Sequence, residues 1–289
     1  LSGKEKGKML ANRFSRKIKF CQIGWVVLLL AVLLITLIPM FYMLSMSVRT
    51  QDNIFEPTLF VTNITFVNYE TVISQNPTLI MNFVSSLVVT IVSVALVTLF
   101  SSMAVFGFSR KQVYGKRILY NLLLSTLMVP ISSLVIPLTQ INSHLNWLNH
   151  YQGLIFPYTA LGIPFAIAIL KGFMDNFPME LEEAATIDGC GTVRLFVNIV
   201  LPTLRPGLIV IVIWQFLTSW NEFFLALVTM SDKTTKTLPL IAQQYQGMYF
   251  SQPGALFAAL VMITVPMIIF YICVQKNFVK GLMSGAVKG

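Results

Sequence analysis

Glu183-Ala184-Ala185, followed by Gly189, Ile199 and Leu201-Pro202, makes up a polar, helix-favouring stretch set between long apolar segments. Pro178 suits a first helical turn, where its missing N–H costs nothing. Glu180, Glu182 and Glu183 suit the positive end of a helix dipole, and Gly189 suits a left-handed stop. A short helix from about Pro178 to Asp188 is expected. Beyond Gly189 and Gly191, Val193, Phe196, Val197 and Val200 recur at helical spacing until Pro202 and Pro206 interrupt the backbone. The stretch, about 175–206, therefore predicts a compact helix-turn-helix.

Outward from it the chain reads as a membrane protein. Hydrophobic residues make up 56% of the sequence, charged residues only 11%, and the mean hydropathy is +0.76, which excludes an ordinary soluble domain. A bilayer core of about 30 Å needs about 20 mostly apolar residues per helix. Six segments meet this: Ile23 to Ser47, Leu79 to Phe108, Ile118 to Ile141, Leu154 to Phe173, Leu208 to Met230 and Ala255 to Val274. The expected class is an all-α polytopic membrane protein with six transmembrane helices. Its divisions are a basic tail (1–22), a first helix (23–47), an external segment (48–78), a core (79–277) with an external loop at about 231–254, and a C-terminal tail (278–289).

Charge orients these spans. Lys4, Lys6, Lys8, Arg13, Arg16, Lys17 and Lys19 precede the first. Arg110, Lys111, Lys116 and Arg117 lie between the second and third, Lys171, Arg194 and Arg205 flank the helix-turn-helix, and Lys276, Lys280 and Lys288 follow the sixth. Only Arg49, Lys233 and Lys236 fall on the other side, so both termini and the helix-turn-helix are expected to be cytoplasmic. The net charge of +9 is explained by this bias; the basic residues are scattered over short loops, which argues against nucleic-acid binding. The first span is longer than a signal-peptide core and lacks a small-x-small site, so it is expected to stay as an anchor.

Catalytic signatures are missing. Gly3 to Lys8 has the wrong spacing for a phosphate-binding loop, and no Ser-His-acid, His-Glu-x-x-His or paired intramembrane carboxylates are visible. Cys21, Cys190 and Cys273 are few and unpatterned, which argues against disulfides and against zinc. His144 and His150 flank Trp147 as interfacial residues with no metal-ligand neighbours. No bound cofactor or metal is expected.

Polar residues inside the spans mark where a solute path would run. Gln215, Thr218 and Glu222 are spaced by three and four in the fifth span, with Ser219 and Asn221 beside them. Glu222 is the only acid placed within a span; such a carboxylate is expensive in lipid unless hydrated or paired, so it is expected to face the interior, in a pathway or in a helix-pinning bond. Asn82, Ser86 and Ser93 stack along the second span. Gly162-Ile163-Pro164 and Pro266 are candidate kinks.

The stretch from Glu183 to Pro202 resembles the cytoplasmic EAA loop of ABC importer membrane subunits: Glu-Ala-Ala, three residues, Gly, nine residues, Ile, one residue, Leu-Pro. Asp188-Gly189, Phe196, the run Ser219-Trp220-Asn221-Glu222-Phe223 and the ending Phe278-Val279-Lys280-Gly281-Leu282 … Gly285-Ala286-Val287-Lys288-Gly289 resemble, more narrowly, the MalG-like carbohydrate permeases. The resemblance implies a type I ABC importer permease fold in a bacterial cytoplasmic membrane. It also implies a second, homologous permease subunit, a dimer of ATPase subunits that use ATP and Mg, an extracytoplasmic sugar-binding protein and a sugar or glycerol-phosphate-type solute. Glu183, Ala184, Ala185, Asp188, Gly189, Ile199, Leu201 and Pro202 would couple to the ATPase, and Gln215, Thr218, Asn221 and Glu222 would line the substrate path. The chain would be a transport subunit without its own ATPase site. Two other classes compete. An ion- or proton-coupled secondary transporter would want intramembrane charge pairs and internal repeats, and a non-transporting scaffold would leave the EAA-type loop unexplained.

Overall fold

The computed structural model describes the backbone at residues 3–50, 53–54, 61, 63–110, 114–247 and 251–286, and side chains within these from 23 to 276. Among the described residues the regular structure is all helical, apart from one isolated bridge between Gln246 and Ser251. Four helices are long and apolar enough to cross a membrane: Ile23–Ser47 within α1 (Gly3–Ser47), α3 (Leu79–Arg110), α6 (Gln152–Asp175) and Pro253–Lys276 within α12 (Pro253–Ala286). The expected basic tail is continuous in backbone with the first of these, since α1 starts at Gly3.

The other two expected spans are broken. The third, Ile118 to Ile141, is divided into α4 (Lys116–Ser125) with a 3-10 turn at Thr126–Met128, and α5 (Ile131–His144), bent by 103°. Val129 and Pro130 are extended, and Pro130 has no N–H to carry the helix across. The fifth, Leu208 to Met230, is preceded by a 75° bend at Leu204 and then runs as α10 (Arg205–Asn221). It stops at Glu222 and restarts as α11 (Phe224–Thr229). Counting each bent pair as one span gives up to six.

The chain forms two compact units. The first comprises Leu1–Thr71 and Gln252–Val261. In it Asn68, in α2 (Val67–Gln75), donates its amide to Ser47 O at 3.0 Å and Arg49 O at 2.8 Å, satisfying carbonyls at the end of α1. Arg49 is buried and donates to Ser45 Oγ and Asn53 O, so its guanidinium is tied into the local structure. The second unit comprises Val72–Ser251 and Met262–Gly289. Here α3 packs along α6 and α10. In lipid, apolar attraction does not bring helices together, so close approach and polar ties must. Gly207 supplies the first: a Cβ there would lie 2.7 Å from the Phe173 ring. Val97, Ala166, Ile167, Leu170, Val200 and Ile211 fill the resulting core. The Trp220 indole donates to Ile263 O at 3.2 Å, tying α10 to α12.

Candidate functional site

The helix-turn-helix is present with its expected ends. α7 spans Met179–Ile187, with Pro178 extended at the N-cap and Asp188 at the C-cap. Gly189 has φ +78°, Gly189 N–H donates to Thr186 O at 3.0 Å, and Cys190 N–H donates to Ala185 O at 2.9 Å. These two bonds form a Schellman stop, which explains why glycine stands at 189. After it come α8 (Thr192–Leu195), a π turn at Phe196–Val200 and α9 (Leu201–Thr203), with Pro202 in the first turn of α9.

The two faces of this unit differ. Ala185, Leu195 and Val200 are buried in the membrane-unit core, with Ile199 and Cys190 packed against it. Leu201 lines a large apolar cavity beside α3 and α10. Glu183, Ala184, Asp188, Gly189 and Pro202 are exposed. Around them Ile187 is 85% and Val193 77% exposed, alongside Met179 and Leu181. Apolar residues this bare make the outer face of α7 and α8 a candidate interaction surface.

Glu182, expected from the sequence only to suit the helix dipole, belongs to the site. It is buried, and its Oε1 accepts from Arg110 Nε at 2.5 Å. Arg110 also donates to Phe177 O at 3.2 Å and lies 5.7 Å over the Phe177 ring. Two signals could have found the pair. Glu182 stands three residues before buried Ala185, on the same face, and Arg110 ends an otherwise apolar span.

The second cluster sits in the helix core. Gln215, Thr218 and Glu222 line one cavity of about 130 Å³ with Tyr158, Trp214 and Ser219. Glu222 is not on a helix face. Its backbone is extended, and its carboxylate receives Leu225 N–H at 2.9 Å, Ala226 N–H at 3.1 Å and the Tyr158 hydroxyl at 2.6 Å. The carboxylate thus caps the restarting helix α11 and binds α6 at once. Gln215 Nε2 donates to Ser219 Oγ at 2.8 Å and Tyr158 O at 3.3 Å, while its buried Oε1 has no hydrogen-bond partner. Thr218 bonds back to Trp214 O and Gln215 O. Asn221 is exposed and bonds back to Leu217 O, apart from the cavity-lining groups. Trp214 stacks on Phe165 with centroids 3.9 Å apart, making an aromatic wall.

The Asn82 and Ser86 stripe serves a different end. Asn82 donates to Lys233 O and Lys236 O, and Ser86 Oγ accepts Leu238 N–H at 2.7 Å. These residues hold the loop between α11 and α12. Ser93 is buried without a hydrogen-bond partner. Among the described residues no cluster of His, Cys, Asp or Glu could hold a metal, and Cys190 and Cys273 are unpaired.

The second unit is thus an apolar helical bundle carrying a helix-turn-helix that is packed on one face and bare on the other. Residues 102–284 match the family described as the inner membrane component of binding-protein-dependent transport systems. The chain belongs to this family of ABC importer permease subunits. It is 31% identical over 267 residues to the trehalose transport system permease protein SugB of Mycobacterium tuberculosis, covering 92% of this chain and 97% of that one. It is 41% identical over 172 residues to a putative ABC transporter permease of a Caldicellulosiruptor strain, covering 60% and 62%. To the trehalose/maltose permease MalG of Thermococcus litoralis it is 36% identical over 140 residues, covering 48% and 50%. The fold superposes on a bacterial ABC transporter that imports the acidic polysaccharide alginate, with a TM-score of 0.77 at 21% identity, covering 90% of this chain and 97% of that one. The type I permease fold expected from the sequence is therefore the fold of this chain.

Proposed function

We propose that the chain is one of two permease subunits of a carbohydrate importer, driven by a pair of ABC ATPases and fed by an extracytoplasmic sugar-binding protein. The observation that carries this reading is the split character of α7: one face locked into the membrane unit by Ala185 and the Arg110–Glu182 pair, the other leaving Glu183, Ala184, Ile187 and Val193 bare. The names of relatives that carry trehalose and maltose support the sugar. In this reading α7 docks on an ATPase, Glu183 faces a basic partner residue, and Ala184 permits close approach. Closure of the ATPases around ATP and Mg moves α7 as a lever, and the rigid clamp to α3 passes the motion to the helices around the Gln215 cavity. Gln215, Thr218 and Glu222, with Asn221 nearer the rim, contribute to the solute path, where amide and hydroxyl groups meet sugar hydroxyls and the Trp214 face meets an apolar sugar face. Both termini and α7 lie in the cytoplasm. Glu222 already takes three internal donors, which leaves little of it for the ion coupling of a secondary transporter.

The test is reconstitution in nanodiscs with the partner permease, ATPases and binding protein. Sugar-loaded binding protein should stimulate ATP hydrolysis, and proteoliposomes should take up the sugar. ATP-independent uptake driven by an ion gradient would overturn the reading.

A further inference from the structure

Helix α4 has no buried residue, although it is built mainly of isoleucine, leucine and tyrosine. One side of it is packed. Tyr120 and Leu123 lie against the membrane-unit core, and the Tyr120 ring meets Phe108 edge-on with centroids 6.0 Å apart. The other side is bare: Ile118, Leu119 and Leu122 share a face and are 66%, 51% and 60% exposed. At the start of the helix stand Lys116 and Arg117, both exposed, and just before them Tyr114 is fully exposed. Among the described residues neither of these cations is in an ion pair.

Length and direction separate α4 from a crossing helix. Its ten residues span about 15 Å, half of a hydrocarbon core of about 30 Å. The 103° bend turns it across α5, so the two do not follow the membrane normal together. A short helix with cations at one end, an aromatic beside them and one apolar side suits the boundary between headgroups and hydrocarbon.

The order of these groups selects the occupant. A soluble acidic protein would meet the two cations and leave the three apolar side chains in water. An apolar helix of another membrane chain would cover those side chains and desolvate the cations with no carboxylate to pair them. A phospholipid with a negative headgroup carries its charge next to its hydrocarbon and satisfies both at once.

We propose that the bare face of α4 seats an anionic phospholipid of the cytoplasmic leaflet, its headgroup on Lys116 and Arg117 and an acyl chain along Ile118, Leu119 and Leu122. The proposal rests on the importer reading for the side of the membrane on which this loop lies. The lipid holds α4 against the bilayer while its other side stays packed on Phe108, and its grip weakens as salt screens the headgroup.

The test uses the assembled complex in nanodiscs of phosphatidylglycerol and phosphatidylcholine, one or the other brominated. Ser125 is exposed at the far end of α4, and a fluorophore on Ser125→Cys, in a cysteine-free background, is quenched by whichever brominated lipid lies beside it. Brominated phosphatidylglycerol should quench at a far lower fraction than brominated phosphatidylcholine. In the double variant Lys116→Gln, Arg117→Gln that preference should fall about 30-fold, each cation contributing about fivefold, with the complex melting at its normal temperature. Equal quenching by the two lipids in the wild type, or an unchanged preference in the double variant, would overturn the proposal. A fluorophore quenched by neither lipid would overturn it too, in favour of a protein chain on this face. The importer reading is read separately: a cysteine at position 114 that reacts only from outside would overturn that orientation, whatever lipid α4 holds.

Discussion

Arg110, the last residue of α3, and Glu182, in the first turn of α7, form an ion pair of 2.5 Å in which each side chain is only 11% exposed. The pair joins a membrane-crossing helix directly to the loop that meets the ATPase in the proposed assembly. Two charges this sheltered depend on one another, because removing either leaves its partner desolvated without compensation.

Arg110→Ala or Glu182→Ala alone should destabilise the docking of α7 by about 3 kcal/mol, and the double variant should cost less than the sum. Thermal unfolding of the detergent complex gives the energies. Binding-protein-stimulated ATP hydrolysis should fall in each single variant while membrane insertion stays normal.

Gly189→Ala isolates the backbone. No atom lies within 4 Å of the Cβ it would add, so its effect comes from φ +78° alone and should be about 1 kcal/mol. Gly189→Asn should cost less, and Gly189→Pro should abolish coupling. Amide exchange at Cys190, whose N–H closes the Schellman stop, reads the change directly.

The carboxylate at 222 can be separated from the amide at 215. Glu222→Leu strands two backbone N–H groups and the Tyr158 hydroxyl, and should lower complex stability by about 2 kcal/mol or more, with Glu222→Gln recovering part of it. Gln215→Leu removes a buried cavity acceptor that has no internal partner and should instead weaken or redirect solute recognition. Normal sugar affinity and selectivity in Gln215→Leu would remove that residue from the path.

Orientation is read by labelling. In a cysteine-free background, a cysteine at position 114 should react only from the cytoplasm and one at 234 only from outside. Reaction of both from one face would overturn the six-span arrangement.

The ends of α7 were legible because proline and glycine act locally: the first fixes φ, the second permits a left-handed turn, and neither needs distant partners. Pro130 carried the same kind of signal at the break of the third span, but an apolar run masked it. The break at Glu222 has no proline. It depends on a carboxylate that reaches forward to Leu225 and Ala226 and across to Tyr158, and the hydropathy of residues 208–230 does not contain that. The choice between Glu182 and Glu183 shows the same limit. The motif marks Glu183, while the buried partner of Arg110 is its neighbour, a distinction made only when α7 packs against α3. The Ser and Asn stripe of α3 was visible as a stripe, but its use as an anchor for a loop some 150 residues later depends on tertiary contact.

Gly162 and Gln215 lie on different helices, yet a Cβ at 162 would stand 2.2 Å from Gln215 Oε1 and 2.9 Å from its Cδ. The two positions are therefore sterically linked. An alanine at 162 would force the side chain at 215 to turn away from its present place, whereas glycine leaves the amide where it is. The polar character of the cavity thus depends on the absence of a side chain at 162 as well as on the amide at 215.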